Sequence, residues 1–239
     1  MQIFAALFES IEYNSLNFFK ELLKLSDKID INLPIFEKHS LLSFTIMKIT
    51  LRDEFISLIL DYPTFDSKRS KITESFTFCL TNVNRISTAK LLYDFDSKHD
   101  HLIDSEIVNN GANLLIKVLD STICTSEIIQ LLLDYGIDIN KPSSNNEYPF
   151  IFAVKKNSYE SVSYLISSKK LDFNLKFKNE SNETSYFHTL AKMNDSVHII
   201  EILTDKLCDI NITNDLGETP LIEACKNLHP EVVKVLFKY

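Results

Sequence analysis

Glycine is nearly missing from this chain, with three in 239 residues. A phosphate loop or dinucleotide fingerprint needs several glycines within a few positions, because the backbone must approach the anion closely, so neither can be assembled here. The four cysteines, Cys79, Cys124, Cys208 and Cys225, are far apart and include no C-x-x-C pair. That excludes a zinc ribbon or a disulfide frame and suits small buried thiols in a reducing, intracellular, cytoplasmic setting. Positive charge is also short, with 25 Lys+Arg against 33 Asp+Glu and a net charge of −8. Without a basic excess there is little to displace counterions from a phosphate backbone, and no nucleic-acid partner is expected. Long hydrophobic runs are lacking too. The opening "MQIFAALFESIEYN" has no basic flank, and Glu9 ends its apolar stretch, so neither a secretory signal nor a membrane span is expected. No paired-carboxylate or Ser/His/Asp signature appears, and the reading is of a non-enzyme without cofactors.

What the chain does have is repetition. "DIN" recurs at Asp30-Ile31-Asn32, Asp138-Ile139-Asn140 and Asp209-Ile210-Asn211, with "DFN" at Asp172-Phe173-Asn174. Upstream of each lies an amphipathic run: "FFKELLKL", "EIIQLLLDYG", "ESVSYLIS" and "HIIEILTDKL". Two more runs with eroded endings, and the terminal "EVVKVLFKY", bring the count to seven second helices, each preceded by a shorter candidate helix. First-helix starts fall near Phe4, Ser40, Ser75, Asn113, Tyr148, Tyr186 and Thr219. A unit of roughly thirty-five residues built as turn–helix–helix cannot bury its apolar face alone, so copies must stack.

The last copy, "DLGETPLIEACKNLHPEVVKVLFKY", resembles the ankyrin repeat: Gly217, Thr219, Pro220, Leu221, Ala224, Val232, Val233 and Leu236 fall on its pattern positions. "EIIQLLLDYGIDIN" matches the second half of that pattern, including Gly136, and "YPFIFAV" keeps its Pro and Ala. The resemblance implies an all-α, ankyrin-type helical-repeat solenoid of about seven helix-turn-helix units joined by short turns or hairpins. It is read as one domain over 1–239, with copies at approximately 1–33, 34–66, 67–104, 105–140, 141–174, 175–211 and 212–239, the last incomplete. Tyr239 aligns with Tyr135, one residue before the helix-closing Gly136. The expectation is therefore a fragment boundary there, or an apolar face for another chain or domain, with a monomer otherwise.

Each pattern residue has a physical task. Gly217 suits a turn with positive φ, Thr219 can cap the first helix, and Pro220 at its first position loses no needed N–H. The departures matter as well: most copies lack the helix-ending glycine, and Ile222 stands where the family carries His. His188 holds that position in the sixth copy or lies one residue away from it. These losses predict longer, looser turns in the first half.

Family members bind other proteins on a concave face of turn tips and inner helices. Carrying the variable positions across gives Ser144, Asn145, Glu147, Lys155 and Lys156 in the fifth copy. The sixth gives Asn182, Glu183, Ser185, Met193 and Asn194, and the last gives Asp215, Leu216, Glu218, Lys226 and Asn227. The resemblance thus implies a non-enzymatic scaffold with a protein partner. The alternative is a regulatory or substrate-recruiting module of a larger enzyme or ubiquitin-ligase adaptor. A remote alternative is a metal-dependent enzyme built on Asp94, Asp96, His99, Asp100, His101 and Asp104, which the plainer reading makes a solvated loop between the third and fourth copies. Phe18, Phe19, Phe55, Phe76, Phe78, Phe150 and Phe152 are expected to form core between copies.

Overall fold

The computed structural model describes residues 2–25, 29–33, 39–48, 53–83, 85–178, 183–193, 196–204 and 209–239. Amphipathic runs pair up along the chain. Helix α1 (Gln2–Glu12) pairs with α2 (Leu16–Lys24), α3 (Leu41–Met47) with α4 (Asp53–Leu60), and α5 (Ile72–Thr81) with α6 (Ile86–Asp96). Helix α7 (Leu102–Asp120) pairs with α8 (Ser126–Asp134), and α9 (Pro149–Lys155) with α10 (Tyr159–Ser167). Last come α11 (Tyr186–Ala191) with α12 (Val197–Thr204) and α13 (Pro220–Lys226) with α14 (Pro230–Lys238). Strands β1 (Lys176–Lys178) and β2 (Glu183–Ser185) form an antiparallel hairpin in which Lys176 faces Ser185. The fold is an all-α helical repeat, with seven helix pairs among the described residues.

Two compact units comprise residues 1–137 and 138–239. In the first, α3 packs on α5 and α5 on α7, while α2 packs on α4 and α4 on α6. In the second, α11 packs on α13 and α12 on α14. First helices thus neighbour first helices, and second helices neighbour second. Aromatic rings occupy the joints: Phe8 stacks on Phe44 at 4.1 Å, Phe19 meets Phe55 at 5.1 Å, and Phe150 meets Tyr186 at 5.0 Å. Phe19, Phe55, Phe76 and Phe150 are core as expected, Phe78 and Phe152 are half-buried, and Phe18 is exposed.

The recurrent Asp-x-Asn has a structural reason. At each of its four occurrences the Asp carboxylate accepts the N–H two residues on, at 3.1 Å for Asn32, 2.9 Å for Asn140, 3.0 Å for Asn174 and 2.9 Å for Asn211. The Asn side chain then reaches the following copy. Asn32 Oδ1 accepts from Asp66 N at 2.8 Å, Asn140 Oδ1 from Asp172 N at 2.8 Å, and Asn174 Oδ1 from Asp209 N at 3.0 Å. One side chain satisfies backbone groups that no helix or sheet supplies. The motif is a ladder between copies.

Four first-helix starts differ from the sequence reading, the first being α1, which begins at Gln2 rather than near Phe4. Helix α5 begins at Ile72 rather than near Ser75, after Lys71 at φ 54°. Of the stretch expected to be a solvated loop, residues 97–101 lie between helices with His99, Asp100 and His101 exposed, while its two ends belong to α6 and α7. Helix α7 begins at Leu102, with a kink at Asn110 (φ −128°, ψ 17°) ahead of the expected start near Asn113. Its start is fixed by Asp96, a buried carboxylate that accepts Leu102 N at 3.0 Å and Ile103 N at 2.6 Å. Helix α11 is capped by Ser185, one residue before Tyr186. The scarcity of glycine is met by other residues in the left-handed region: Asn14, Asn146, Asn157, Lys169 and Leu228 all have φ between 51° and 58°. Among the described residues no helix is long and apolar enough to cross a membrane.

Candidate functional site

Two turns in the second unit are built alike. In one, Ser143 N donates to Glu147 O at 2.9 Å and Asn146 N to Ser143 O at 2.9 Å. In the other, Asn214 N donates to Glu218 O at 3.0 Å and Gly217 N to Asn214 O at 2.9 Å. Positive φ falls on Asn146 (57°) and Gly217 (73°), the two residue types that adopt it at least cost. Asn146 Nδ2 then donates to Lys178 O at 3.1 Å, joining this turn to the β1–β2 hairpin. Pro149 and Pro220 each open the helix that follows, and Thr219 Oγ1 accepts Ile222 N at 3.4 Å.

These turns hold the tip residues outward. Ser144, Asn145, Asp215 and Leu216 are exposed, Leu216 at 62% despite its apolar side chain. One residue before each helix cap stands a glutamate that meets a lysine at the helix end. Glu147 lies 3.5 Å from Lys155, and Glu218 pairs with Lys226. The Lys226 ammonium, with Asn214 helping, holds the Glu218 carboxyl below its ordinary range. Lys156 lies over the Phe152 ring at 5.4 Å, and Asn227 Nδ2 donates to Glu223 O at 2.8 Å. All ten residues expected in the fifth and last copies therefore lie at turn tips or first-helix ends.

The sixth copy needs correction. Ser185 is fully buried, and its hydroxyl caps α11 by accepting His188 N at 3.5 Å and contacts His188 Nδ1 at 2.8 Å. It is a capping residue and not a surface one. Taking the start one residue late displaced the whole set: the lysine matching Lys155 and Lys226 is Lys192, where Met193 was expected. Met193 is half-buried. The position of the tip glutamate is held by Thr184, which is buried, and Lys192 lies 3.5 Å from Glu223 instead. Asn182 and Asn194 lie outside the described residues, as does the Glu183 side chain. Counting seven residues on from each cap would have found Lys192.

His188 occupies the family's His position. Its Nε2 is 2.9 Å from Glu218 O, so it ties the sixth copy to the turn of the last. A carbonyl only accepts, so Nε2 carries the proton and Nδ1 accepts from the Ser185 hydroxyl. Burial holds this imidazole below its usual pKa range, although the Glu218 carbonyl works in the opposite direction. Ile222, at the same position one copy on, is 42% exposed.

The histidine–aspartate cluster is organised differently from a ligand set. The His99 ring stacks on Phe95 at 4.1 Å with Nδ1 2.7 Å from Phe95 O, while Asp96 serves the start of α7. Both groups are committed inside the turn, and the Asp104 side chain lies outside the description. Among the described residues no three His, Cys, Asp or Glu side chains gather as a metal site. Cys79 is buried, and its thiol is pushed up to about 12 by burial, far from a reactive thiolate.

Comparison with known proteins agrees with this geometry. The ankyrin-repeat family matches in its three-copy form over residues 172–239 and in its many-copy form over residues 127–166. Alpha-latrotoxin-Lg1a of Latrodectus geometricus is 31% identical over 110 residues, which is 46% of this chain and 8% of that protein. The chain thus spans a small part of that relative's length. The crystal structure of the ankyrin repeat domain of Bcl-3, described as a unique member of the IkappaB protein family, is similar with a TM-score of 0.70. It is 18% identical, and the match covers 97% of each chain. The ankyrin-repeat fold is in general a non-enzymatic one that binds proteins. Turn, cap, His188 tie and family match converge: over residues 127–166 and 172–239 this chain is built of ankyrin repeats, and its fold is like that of the Bcl-3 ankyrin repeat domain.

Proposed function

We propose that this chain is a scaffold that holds a protein partner on the surface made by its turn tips and first-helix ends, and that it performs no chemistry of its own. The observation that supports this most is the matching placement of exposed tip residues and lysines in the fifth and last copies. Ser144, Asn145 and Lys155 in one copy match Asp215, Leu216 and Lys226 in another, on turns held rigid by the same backbone bonds. Rigid turns reduce the ordering entropy lost on binding, so modest contacts along a long surface suffice. The glutamate–lysine pairs are solvent-facing and contribute little to stability, which leaves both charges open to exchange partners.

Affinity capture with the intact chain tests the reading. A Glu147→Arg/Glu218→Arg variant is expected to keep its helical circular dichroism and lose the proteins held by the unaltered chain. A Glu160→Arg variant on α10, whose side chain is exposed on a second helix, is expected to keep them. The opposite pattern would place the binding surface on the second helices.

A further inference from the structure

The first unit carries a related but unsatisfied arrangement. Counting seven residues from the residue before each first helix gives Met47 on α3 (after Ser40) and Phe78 on α5 (after Lys71). Counting seven from the α7 kink at Asn110 gives Lys117. The same position holds Lys155, Lys192 and Lys226 in the second unit, and there each lysine faces a carboxylate: Glu147, Glu223 and Glu218 in turn. Among the described residues Lys117 has no such partner.

Lys117 faces an open depression of about 520 Å³ between α5 and α7, whose α5 wall is Thr73, Thr77 and Thr81. On the other side of α5, a cavity of about 260 Å³ opens towards α3 between Ile46, Met47 and Phe78. Phe78 lines both, so an apolar hollow and a lysine-bearing depression adjoin across one helix. Met47 is 41% exposed, an apolar surface left uncovered at the edge of the hollow. Glu74 also lines both depressions, in the first turn of α5, and among the described residues no ion pair joins it to Lys117.

Neighbouring helices lie about 8–10 Å apart, and an extended peptide advances about 3.3 Å per residue, so three residues carry it from one groove to the next. We infer that the first unit binds an extended segment of a protein partner, with a Leu, Met or Phe side chain between Met47 and Phe78 and a carboxylate, three residues away, on Lys117. The partner thereby supplies the acid that the chain itself supplies to the matching lysines. This rests on the protein-binding reading above and adds a second surface with a stated ligand chemistry.

Selection from a random-peptide display library against the full chain tests it. Enriched peptides are expected to pair a large apolar residue with Asp or Glu three positions away. Lys117→Glu should weaken them by about tenfold or more, and changing the peptide acid to lysine should restore binding to that variant. Met47→Glu should also weaken them, with unchanged circular dichroism; Lys117→Gln serves where charge reversal disturbs folding. Enriched peptides without the pair, or unaffected by both substitutions, overturn the inference. Peptides lost only on the Glu147→Arg/Glu218→Arg variant overturn it while upholding the tip surface, and failure to enrich any peptide counts against both.

Discussion

Replacing Asn32 by alanine should cost much more than the same change at Asn174, further along the ladder. Asn32 is 3% exposed and makes four side-chain contacts: Nδ2 to Asp30 Oδ1 at 3.0 Å and to Thr64 O, and Oδ1 from Asp66 N at 2.8 Å and Ser70 Oγ at 2.7 Å. Removing it leaves the 1%-exposed Ser70 hydroxyl without its acceptor, while the exposed Asp66 can regain water. A dry unpaired hydroxyl and the lost bonds together give an expected loss of about 2–4 kcal/mol. Asn174, whose bond to Asp209 N is exposed, should cost about 1 kcal/mol or less on replacement. The chain has no tryptophan, so urea melts are followed by circular dichroism. Hydrogen exchange should localise the Asn32→Ala loss to residues 29–32 and 64–70. Equal costs at the two rungs, or a loss under about 0.5 kcal/mol at Asn32, would refute burial as the source of the ladder's strength.

Three further outcomes are expected. Leu132→Ala, at a fully buried site in α8, should destabilise by about 2–5 kcal/mol, whereas Glu147→Ala at a tip should stay within about 0.5 kcal/mol in the same melts. His188 has its folded pKa below the ordinary value of 6.5, so its contribution is complete above that value and falls away as pH drops towards the folded pKa. Melts below and above pH 6.5 should show that loss in the native chain and not in a His188→Gln variant. Tyr186 is fully buried, and its hydroxyl lacks a hydrogen-bond partner among the described residues, so Tyr186→Phe should be neutral or stabilising by about 1 kcal/mol in thermal melts.

How far the fold could be read depended on where its signals are local. Apolar periodicity marked all seven helix pairs, and Thr219-Pro220 with Gly217 placed one turn to the residue, because cap, fixed φ and positive φ each act within a few positions. The start of α7 was not legible, since it depends on Asp96 turning back to accept two N–H groups beyond a turn. Nor was the register of the sixth copy. Serine and tyrosine adjoin at 185 and 186, and the bond from His188 N to Ser185 Oγ, together with His188 Nε2 against Glu218 O thirty residues away, shows that the serine caps. That single slip misplaced Lys192. At the candidate surface the tips of the fifth and last copies were legible, whereas the Met47–Phe78–Lys117 row required the α7 kink to be seen.

Photo-crosslinking at single positions tests the central claim most directly. A photoreactive phenylalanine analogue at Asn145 or Leu216, both exposed turn-tip residues, is compared with one at Tyr159 or Phe237, both exposed on second helices. The account predicts protein adducts, identified by mass spectrometry, from the tip positions and few from the second-helix ones. Adducts confined to Tyr159 and Phe237 would contradict it.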